Sequence, residues 1–363
     1  VKPVRIALIG CGKVGSIHAT SLRALAEAEL VAVCDASIER AQAFATKYGG
    51  QVFGDLTTLL REVRPEAVVI GTPHPLHAAP AIQAAEAGAH VLVEKPLAAS
   101  LRDCDAMLAA ARKHGVKLGV ISQRRFYEPV RRMKDAIDAG KIGKPMLGVF
   151  TMYSWRDPAY YQSDPWRGKW ATEGGGVLVN QSPHMLDMLQ WFMGPIAEIS
   201  GCWANVNHPS IEVEDTAVAT VRFTSGGLGA IVTSVAQKPG IYTKVHIHGN
   251  NGASIGVETD RGATFIAGMS AIAEPPLNDV WTIPGEESRL AEWQAEDRAR
   301  FAQIDATTHY HALQIQDFAQ AIRDDRKPLV SGEEGRVVVE MFTAIYRSQQ
   351  ERRPIALPIA AEV

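Results

Sequence analysis

The chain reads as a doubly wound parallel α/β sheet followed by an α+β domain with a large open, mostly antiparallel sheet. Three observations predict this. Short apolar runs alternate with helical stretches through the first third. A glycine-rich turn joins the first run to the first helix. Beyond residue 122 the runs lengthen and hairpin turns connect them. The expected division is residues 1–122 and residues 123–363. With 363 residues and 46% hydrophobic content, the chain has enough apolar material for two cores.

Taken in order, Val4–Ile9 is short, apolar and rich in branched side chains, and reads as a strand. The turn Gly10-Cys11-Gly12-Lys13-Val14-Gly15 follows, then a proline-free helical stretch from Val14 to Ala28. Further buried strands are expected at Leu30–Cys34, Ala67–Ile70, His90–Val93 and Lys117–Ile121, with helices between them. In the second domain Glu128–Ala139 has the spacing of an amphipathic helix, and Met146–Trp155 reads as a long strand. Thr216–Phe223, Leu228–Val235 and Lys244–His248 read as strands, with turns at Ser225-Gly226-Gly227 and Gly249-Asn250-Asn251-Gly252. Residues 274–303 are polar and proline-bearing and carry no assignment. Helices are expected over His311–Arg323 and Glu333–Gln350.

The glycine turn carries the first chemistry. Glycine lets the backbone approach a pyrophosphate, and the following helix N-terminus offers amide donors and positive potential. Gly10, Gly12, Lys13, Val14 and Gly15 are therefore candidate cofactor contacts. Asp35 ends the second strand twenty residues after Gly15, where an acid accepts hydrogen bonds from the adenosine ribose. An acid there repels a 2′-phosphate, and Ala36 and Ser37 supply no adjacent cation, so NAD is expected in preference to NADP. The bland reading, a glycine turn and a solvated acid, has to produce strand, turn, helix, strand and acid in this order by chance. A P-loop is excluded because Lys13 is followed by valine rather than Ser or Thr.

The second signature, Glu94-Lys95-Pro96, closes the strand His90–Val93. Oxidising a secondary alcohol requires hydride loss from carbon and proton loss from oxygen, so a proton-handling group must stand near that oxygen. Lys95 and His184 are the candidates. A cationic Lys95 would stabilise a developing alkoxide, and burial beside a positive nicotinamide ring would lower its pKa enough for it to act as the base. Two local geometries are open for His184. Ser182 could cap a helix with Pro183 in its first turn, which puts the imidazole at the positive end of the dipole. Alternatively the helix starts near Gly176, with Asn180 and His184 on one face and Pro183 as a kink. Asp187 could orient His184 or simply solvate the helix.

Other candidates follow the same strand ends. Thr72, Pro73 and His77 come after the third expected strand, where a loop can meet the cofactor. Gln123 and Arg124 leave the fifth, at the nicotinamide side or at the domain junction. His74 and His77 could pair on a metal but lack a third ligand, so none is expected. Tyr153, Trp155, Tyr160, Tyr161, Trp166 and Arg167 gather aromatic faces and a cation in a chain with 7% aromatics. That suits a sugar ring and equally suits a core or oligomer surface. His246 and His248 alternate on a strand and read as structural; His311 opens a helix.

The ordered pieces resemble the glucose–fructose oxidoreductase and inositol dehydrogenase family nearly end to end. They are Gly10 to Gly15, His18-Ala19, Thr72-Pro73 with His77, Glu94-Lys95-Pro96, Trp166-Arg167-Gly168, Gly174-Gly175-Gly176, Asn180 with His184 and Asp187, and Gln316-Asp317-Phe318 through Pro328. The resemblance implies a Rossmann domain, an open-faced sheet domain, substrate in the cleft between them, and a dimer or tetramer built through the sheet face. It implies catalytic roles for Lys95 and His184, with the histidine as the usual proton carrier, and Asn180 is counted with them as a catalytic candidate. Glu94, Lys95 and Gln123 are also expected to contact cofactor, and Tyr153, Trp166 and Arg167, with Lys95, Asn180 and His184, a carbohydrate. Family members most often carry Asp where this chain has Asn180. That exchange removes a charge, suggests recognition of a substrate hydroxyl, and moves proton work toward Lys95. Members with Asn include enzymes of sugar derivatives and nucleotide sugars. The expected activity is an NAD-dependent oxidoreductase of a sugar, sugar derivative or polyol. Its rivals within the resemblance are a redox-neutral NAD-dependent glycoside hydrolase and a non-catalytic dinucleotide sensor.

A net charge of −3 gives no electrostatic case for nucleic acid or an anionic membrane. No apolar run reaches membrane-spanning length, and the amino end enters a strand directly, so neither anchor nor signal peptide is expected. Cys11, Cys34, Cys104 and Cys202 have no metal or redox spacing and read as buried, reduced thiols of a cytoplasmic protein.

Overall fold

The computed structural model describes residues 2–260, 264–266, 269–271 and 274–359. They divide into two compact units that are not separated by a single cut. The first runs to Gln123 and takes in Thr307–Val339; the second holds Arg124–Ala306 and the described chain from Glu340 onward.

In the first unit strands β1 (Val4–Ile9), β2 (Ala28–Cys34), β3 (Gln51–Phe53), β4 (Ala67–Ile70), β5 (His90–Val93) and β6 (Leu118–Val120) alternate with helices. These are α1 (Lys13–Arg23), α2 (Ile38–Tyr48), α3 (Leu56–Val63), α4 (Ala78–Glu86) and α5 (Leu101–His114). The sheet is wholly parallel, in the order β3-β2-β1-β4-β5-β6, the doubly wound Rossmann order. Its strands are apolar on both faces because helices cover both; Ile6, Ala7 and Leu8 are fully buried. Side chains cap the helices where the sequence allows: Ser37, Asp55 and Ser100 accept from amides in the first turns of α2, α3 and α5.

The second unit opens with α6 (Glu128–Asp138), β7 (Pro145–Tyr153) and three helices, α7 (Pro158–Gln162), α8 (Trp170–Glu173) and α9 (Pro183–Met193). There follow β8 (Ile196–Ala204), β9 (Thr216–Phe223), β10 (Leu228–Ser234), β11 (Tyr242–Gly249), β12 (Ser254–Thr259), the hairpin β13 (Thr264–Ile266) and β14 (Met269–Ala271), and β15 (Leu277–Trp281). Helix α10 (Arg289–Phe301) follows; the chain then gives α11 (Ala306–Arg323) and the start of α12 (Gly332–Glu351) to the first unit, and the end of α12 and the short β16 (Ile355–Ala356) to the second. Eight strands form one sheet in the order β15-β12-β11-β7-β10-β9-β8-β16. Its pairs are antiparallel except β7 with β10. Along β9 Ala217, Ala219, Val221 and Phe223 are buried while Val218, Thr220 and Arg222 are exposed, the alternation of a sheet covered on one face. Helix α9 covers that face: a Cβ on Gly148 of β7 would meet Met193 and Leu189.

Both expected hairpin turns are present, at Ser225-Gly226-Gly227 and Gly249–Gly252. Four expectations change. The first helix ends at Arg23, because pairing of Val4 with Ala28 draws that segment into β2 despite its helical composition. The strand β3 has three residues at the sheet edge, too short for a periodic signal. The unassigned residues 274–303 form β15 and α10, and α11 begins at Ala306 rather than His311. Cys202 is exposed on β8, whereas Cys11, Cys34 and Cys104 are buried. Among the described residues no helix is long and apolar enough to cross a membrane.

Candidate functional site

Between β1 and α1 the chain turns through Gly10, Cys11 and Gly12. A Cβ on Gly15 would stand 2.2 Å from the Gly10 carbonyl oxygen, so only glycine lets α1 start this close to the turn. No side chain caps the start of α1, and no atom lies within 4 Å of the place a Gly12 Cβ would occupy. That is open space over a helix N-terminus, where amides and dipole favour an anion. Lys13 is exposed and Val14 half-buried there. Asp35 is buried at the end of β2; it accepts from the Cys11 amide at 2.9 Å and the Ser37 amide at 2.9 Å. The cradle fits a dinucleotide. The expectation of no cation beside Asp35 is corrected by Arg40, whose Nη1 lies 3.3 Å from Oδ1 on a side chain 60% exposed. One turn of α2 folds Arg40 back onto an acid five residues earlier, which an inspection of immediate neighbours misses.

At the end of β5, Glu94 is buried and Lys95 half-buried. Glu94 Oε1 lies 2.9 Å from His18 Nε2, and Oε2 accepts from the Lys95 amide at 3.1 Å. Burial opposes its ionisation, but the hydrogen bond and charge of His18, with His311 and Lys95, outweigh burial and bring the carboxyl down to about 2. His311 meets His18 edge-on, with ring centroids 5.5 Å apart. The segment bearing Lys95 is thus held from beneath by an ionised carboxylate. His77, expected to touch cofactor, is fully buried; Nδ1 faces the Pro96 carbonyl at 3.0 Å and Nε2 the Thr72 carbonyl at 2.9 Å. Burial lowers its pKa. It braces the Thr72-Pro73 loop against the Lys95-Pro96 loop instead of presenting a group of its own. Gln123 follows β6, and its buried Oε1 has no hydrogen-bond partner, an acceptor suited to a bound ligand.

In the second unit the chain from Gly176 to Met193 is nearly continuous helix. A π-helical turn over Val177–Gln181 runs through Ser182 into α9. The two geometries open for His184 therefore merge. Pro183 stands at the first position of α9 and His184, buried, at the second, while Asn180 lies on the turn before it. Ser182 does not cap; its hydroxyl pairs with Thr233 at 2.9 Å. A Cβ on Gly176 would stand 1.8 Å from the Glu214 carbonyl oxygen, which explains that glycine. The Glu214 carboxylate accepts from the amides of Gly176 (2.8 Å) and Leu178 (2.9 Å) and from the Tyr346 hydroxyl (2.9 Å). Burial raises its pKa to about 7 against these bonds.

Asn180 donates from Nδ2 to the Tyr160 hydroxyl at 3.0 Å and to Glu173. Arg167 Nη1 reaches the same hydroxyl at 2.5 Å, and its guanidinium lies 4.4 Å over the Trp166 ring. Asn180 and Arg167 thus meet at the Tyr160 hydroxyl, and Arg167 carries the contact on to Trp166. Tyr153 is placed elsewhere, against Tyr242 on the sheet face opposite α9. Asp187 does not simply solvate the helix; it is buried in a two-point ion pair with Arg125 at 2.5 and 2.7 Å. Arg124 pairs with Asp260, and His246 pairs with Asp279.

These placements can be set beside known proteins. Residues 4–122 match the model of the oxidoreductase family with an NAD-binding Rossmann fold, and residues 130–255 match the GFO/IDH/MocA C-terminal domain. The chain belongs to the Gfo/Idh/MocA oxidoreductase family. The 1,5-anhydro-D-fructose reductase of Ensifer adhaerens is 32% identical over 67% of this chain and 71% of its own. The myo-inositol 2-dehydrogenase of Thermotoga maritima is 27% identical over 98% of each. Among solved structures, the WlbA dehydrogenase of Bordetella pertussis, in complex with NADH and UDP-GlcNAcA, superposes with a TM-score of 0.86 at 29% identity over 99% of each chain.

Sequence reasoning missed Arg40, Glu173, Glu214, Arg125 and the tie from His18 to Glu94. Their partners are brought together by folding; His18 and Glu94 are separated by 76 positions. Only Arg40 left a local signal, on the first turn of an expected helix.

Proposed function

We propose that this family member is an NAD-dependent dehydrogenase acting on a secondary hydroxyl, or the corresponding carbonyl, of a sugar, sugar derivative or polyol. The observation that carries the reading is Lys95 anchored on an ionised, buried Glu94 in the unit that holds the dinucleotide cradle. Bound NAD supplies a hydride acceptor. Asp35 would receive the adenosine ribose hydroxyls, the start of α1 the pyrophosphate, and Gln123 Oε1 a donor of the cofactor. Lys95 would stabilise negative charge on the substrate oxygen, and His184, at the positive end of α9, would take its proton. NAD rather than NADP is favoured by the buried carboxylate of Asp35, while Arg40 tempers the repulsion of a 2′-phosphate. Relatives named for inositol, anhydrofructose and glucoside chemistry support a hydroxyl-rich substrate. The complex of WlbA with UDP-GlcNAcA makes a nucleotide sugar a compound to test early. The open sheet face, with Val218, Leu228 and Leu147 exposed, supports a homo-oligomer formed through it, which sedimentation would reveal.

The test is reduction of NAD and NADP by purified protein against myo-inositol, methyl β-D-glucoside, sugar acids and UDP-GlcNAcA, after assay for copurified cofactor. Net NADH with one class supports the dehydrogenase. Tightly bound cofactor with glycoside cleavage and no net NADH would replace it with the redox-neutral hydrolase. Bound cofactor with neither outcome would leave the sensor.

A further inference from the structure

Glu173 ends α8 and is 1% exposed. One carboxylate oxygen accepts from the Gly168 amide, and the other accepts from Asn180 Nδ2. The second N–H of that amide goes to the Tyr160 hydroxyl at 3.0 Å. The Glu173 oxygen accepts from Nδ2 as placed, so the reversed amide would set oxygen against oxygen. The orientation of Asn180 is therefore dictated: both N–H groups are engaged, and Oδ1 can only accept. An aspartate at this position would also offer acceptance alone.

We propose that Glu173 is a positioning residue that makes Asn180 a pure hydrogen-bond acceptor toward a donating hydroxyl of the substrate, the two residues together doing what one aspartate would do. This rests on the dehydrogenase reading above, in which Asn180 faces substrate. It adds a specificity rule: the substrate donates a hydrogen bond at this point, so an O-methyl ether or deoxy analogue there is rejected. Arg167, stacked on the Tyr160 ring at 4.4 Å, and Arg156, at 5.6 Å from it, are the neighbouring cations.

The experiment compares E173Q, N180D and N180D/E173Q, by kcat with whichever of myo-inositol, methyl β-D-glucoside or UDP-GlcNAcA the wild type turns over, and by NAD affinity. E173Q is expected to lose tenfold or more in kcat with NAD affinity unchanged, because glutamine lets the Asn180 amide face either way. N180D loses as much, two carboxylates being placed in contact. The double variant returns to within about threefold of wild type, its new glutamine donating to the new carboxylate as Asn180 donated to Glu173. A merely structural Glu173 would show no such rescue. Wild-type kcat in E173Q, or a double variant no better than either single one, overturns the proposal. If E173Q does not fold, N180D/E173Q must still exceed N180D. Normal turnover of Lys95→Ala would instead overturn the dehydrogenase mechanism, and failure of the wild type to reduce NAD or NADP with every compound of the panel above would overturn both readings.

Discussion

Two buried glutamates, one in each unit, have been driven in opposite directions. Glu94 lies beneath Lys95 among His18, His311 and Lys95, and its carboxyl is brought down to about 2. Glu214 lies beneath the turn carrying Asn180 and is met by two backbone amides and a phenol, none of them a full charge; burial wins there and its carboxyl rises to about 7. Burial disfavours the charged form at both. What differs is whether positive charge stands close enough to reverse it. The first glutamate fixes an electrostatic setting for Lys95; the second mainly ties backbone together.

The largest expected effect tests what the Glu94 side is for. Lys95→Ala should lower turnover about 10³-fold, within the usual range for loss of an acid–base group, while NAD affinity by fluorescence titration stays near wild type. Turnover within threefold of wild type would remove Lys95 from the chemistry. Next is Glu94→Gln, which leaves the histidines facing a neutral amide and should cost about 3 kcal/mol of stability in chemical denaturation. The folded carboxyl lies below the ordinary glutamate value of 4.5. Its contribution is therefore complete above pH 4.5 and disappears as pH falls toward 2. A deficit in the variant that grew on acidification would contradict this.

Glu214→Gln should behave with the opposite sign. Here the folded carboxyl lies above 4.5, at about 7, so the folded state holds the proton more tightly and wild type loses stability as pH rises through that window. At pH 4.5 wild type should exceed the variant by about 1–3 kcal/mol, since the new amide cannot accept from both Gly176 and Leu178. The difference should shrink by pH 7; a flat difference would break the comparison. The smallest effect concerns a third buried carboxylate, partnered by backbone amides and an exposed arginine. Asp35→Ala should weaken NAD about tenfold and NADP much less, and Arg40→Ala should weaken NADP more than NAD. Equal losses for both cofactors would remove the ribose role from the pair.

The first unit was the more legible because its signals are local. Gly15 must be glycine on account of Gly10, five residues away, and Asp35 ends a strand whose apolar run is visible without a structure. The second unit was less legible. Asn180 and His184 could be singled out, but the sequence left two helix starts open, and both proved partly true because a π-helical turn inserts a residue between them. Tyr153 lies on the face of its strand away from α9, which only register reveals. Asp187 lies one turn from His184 yet belongs to Arg125, since a buried carboxylate goes to the guanidinium that can bond it at two points.

By itself the sequence determined the order of strands and helices, the dinucleotide turn and the family, because these rest on periodicity and on backbone needs met within a few residues. Tertiary structure alone decided that Glu94 is ionised, that Glu214 is pushed up, that Arg40 joins Asp35 and that Glu173 orients Asn180. Charge and hydrogen-bond direction at a buried group depend on what stands within a few ångströms of it, and those neighbours come from distant parts of the chain.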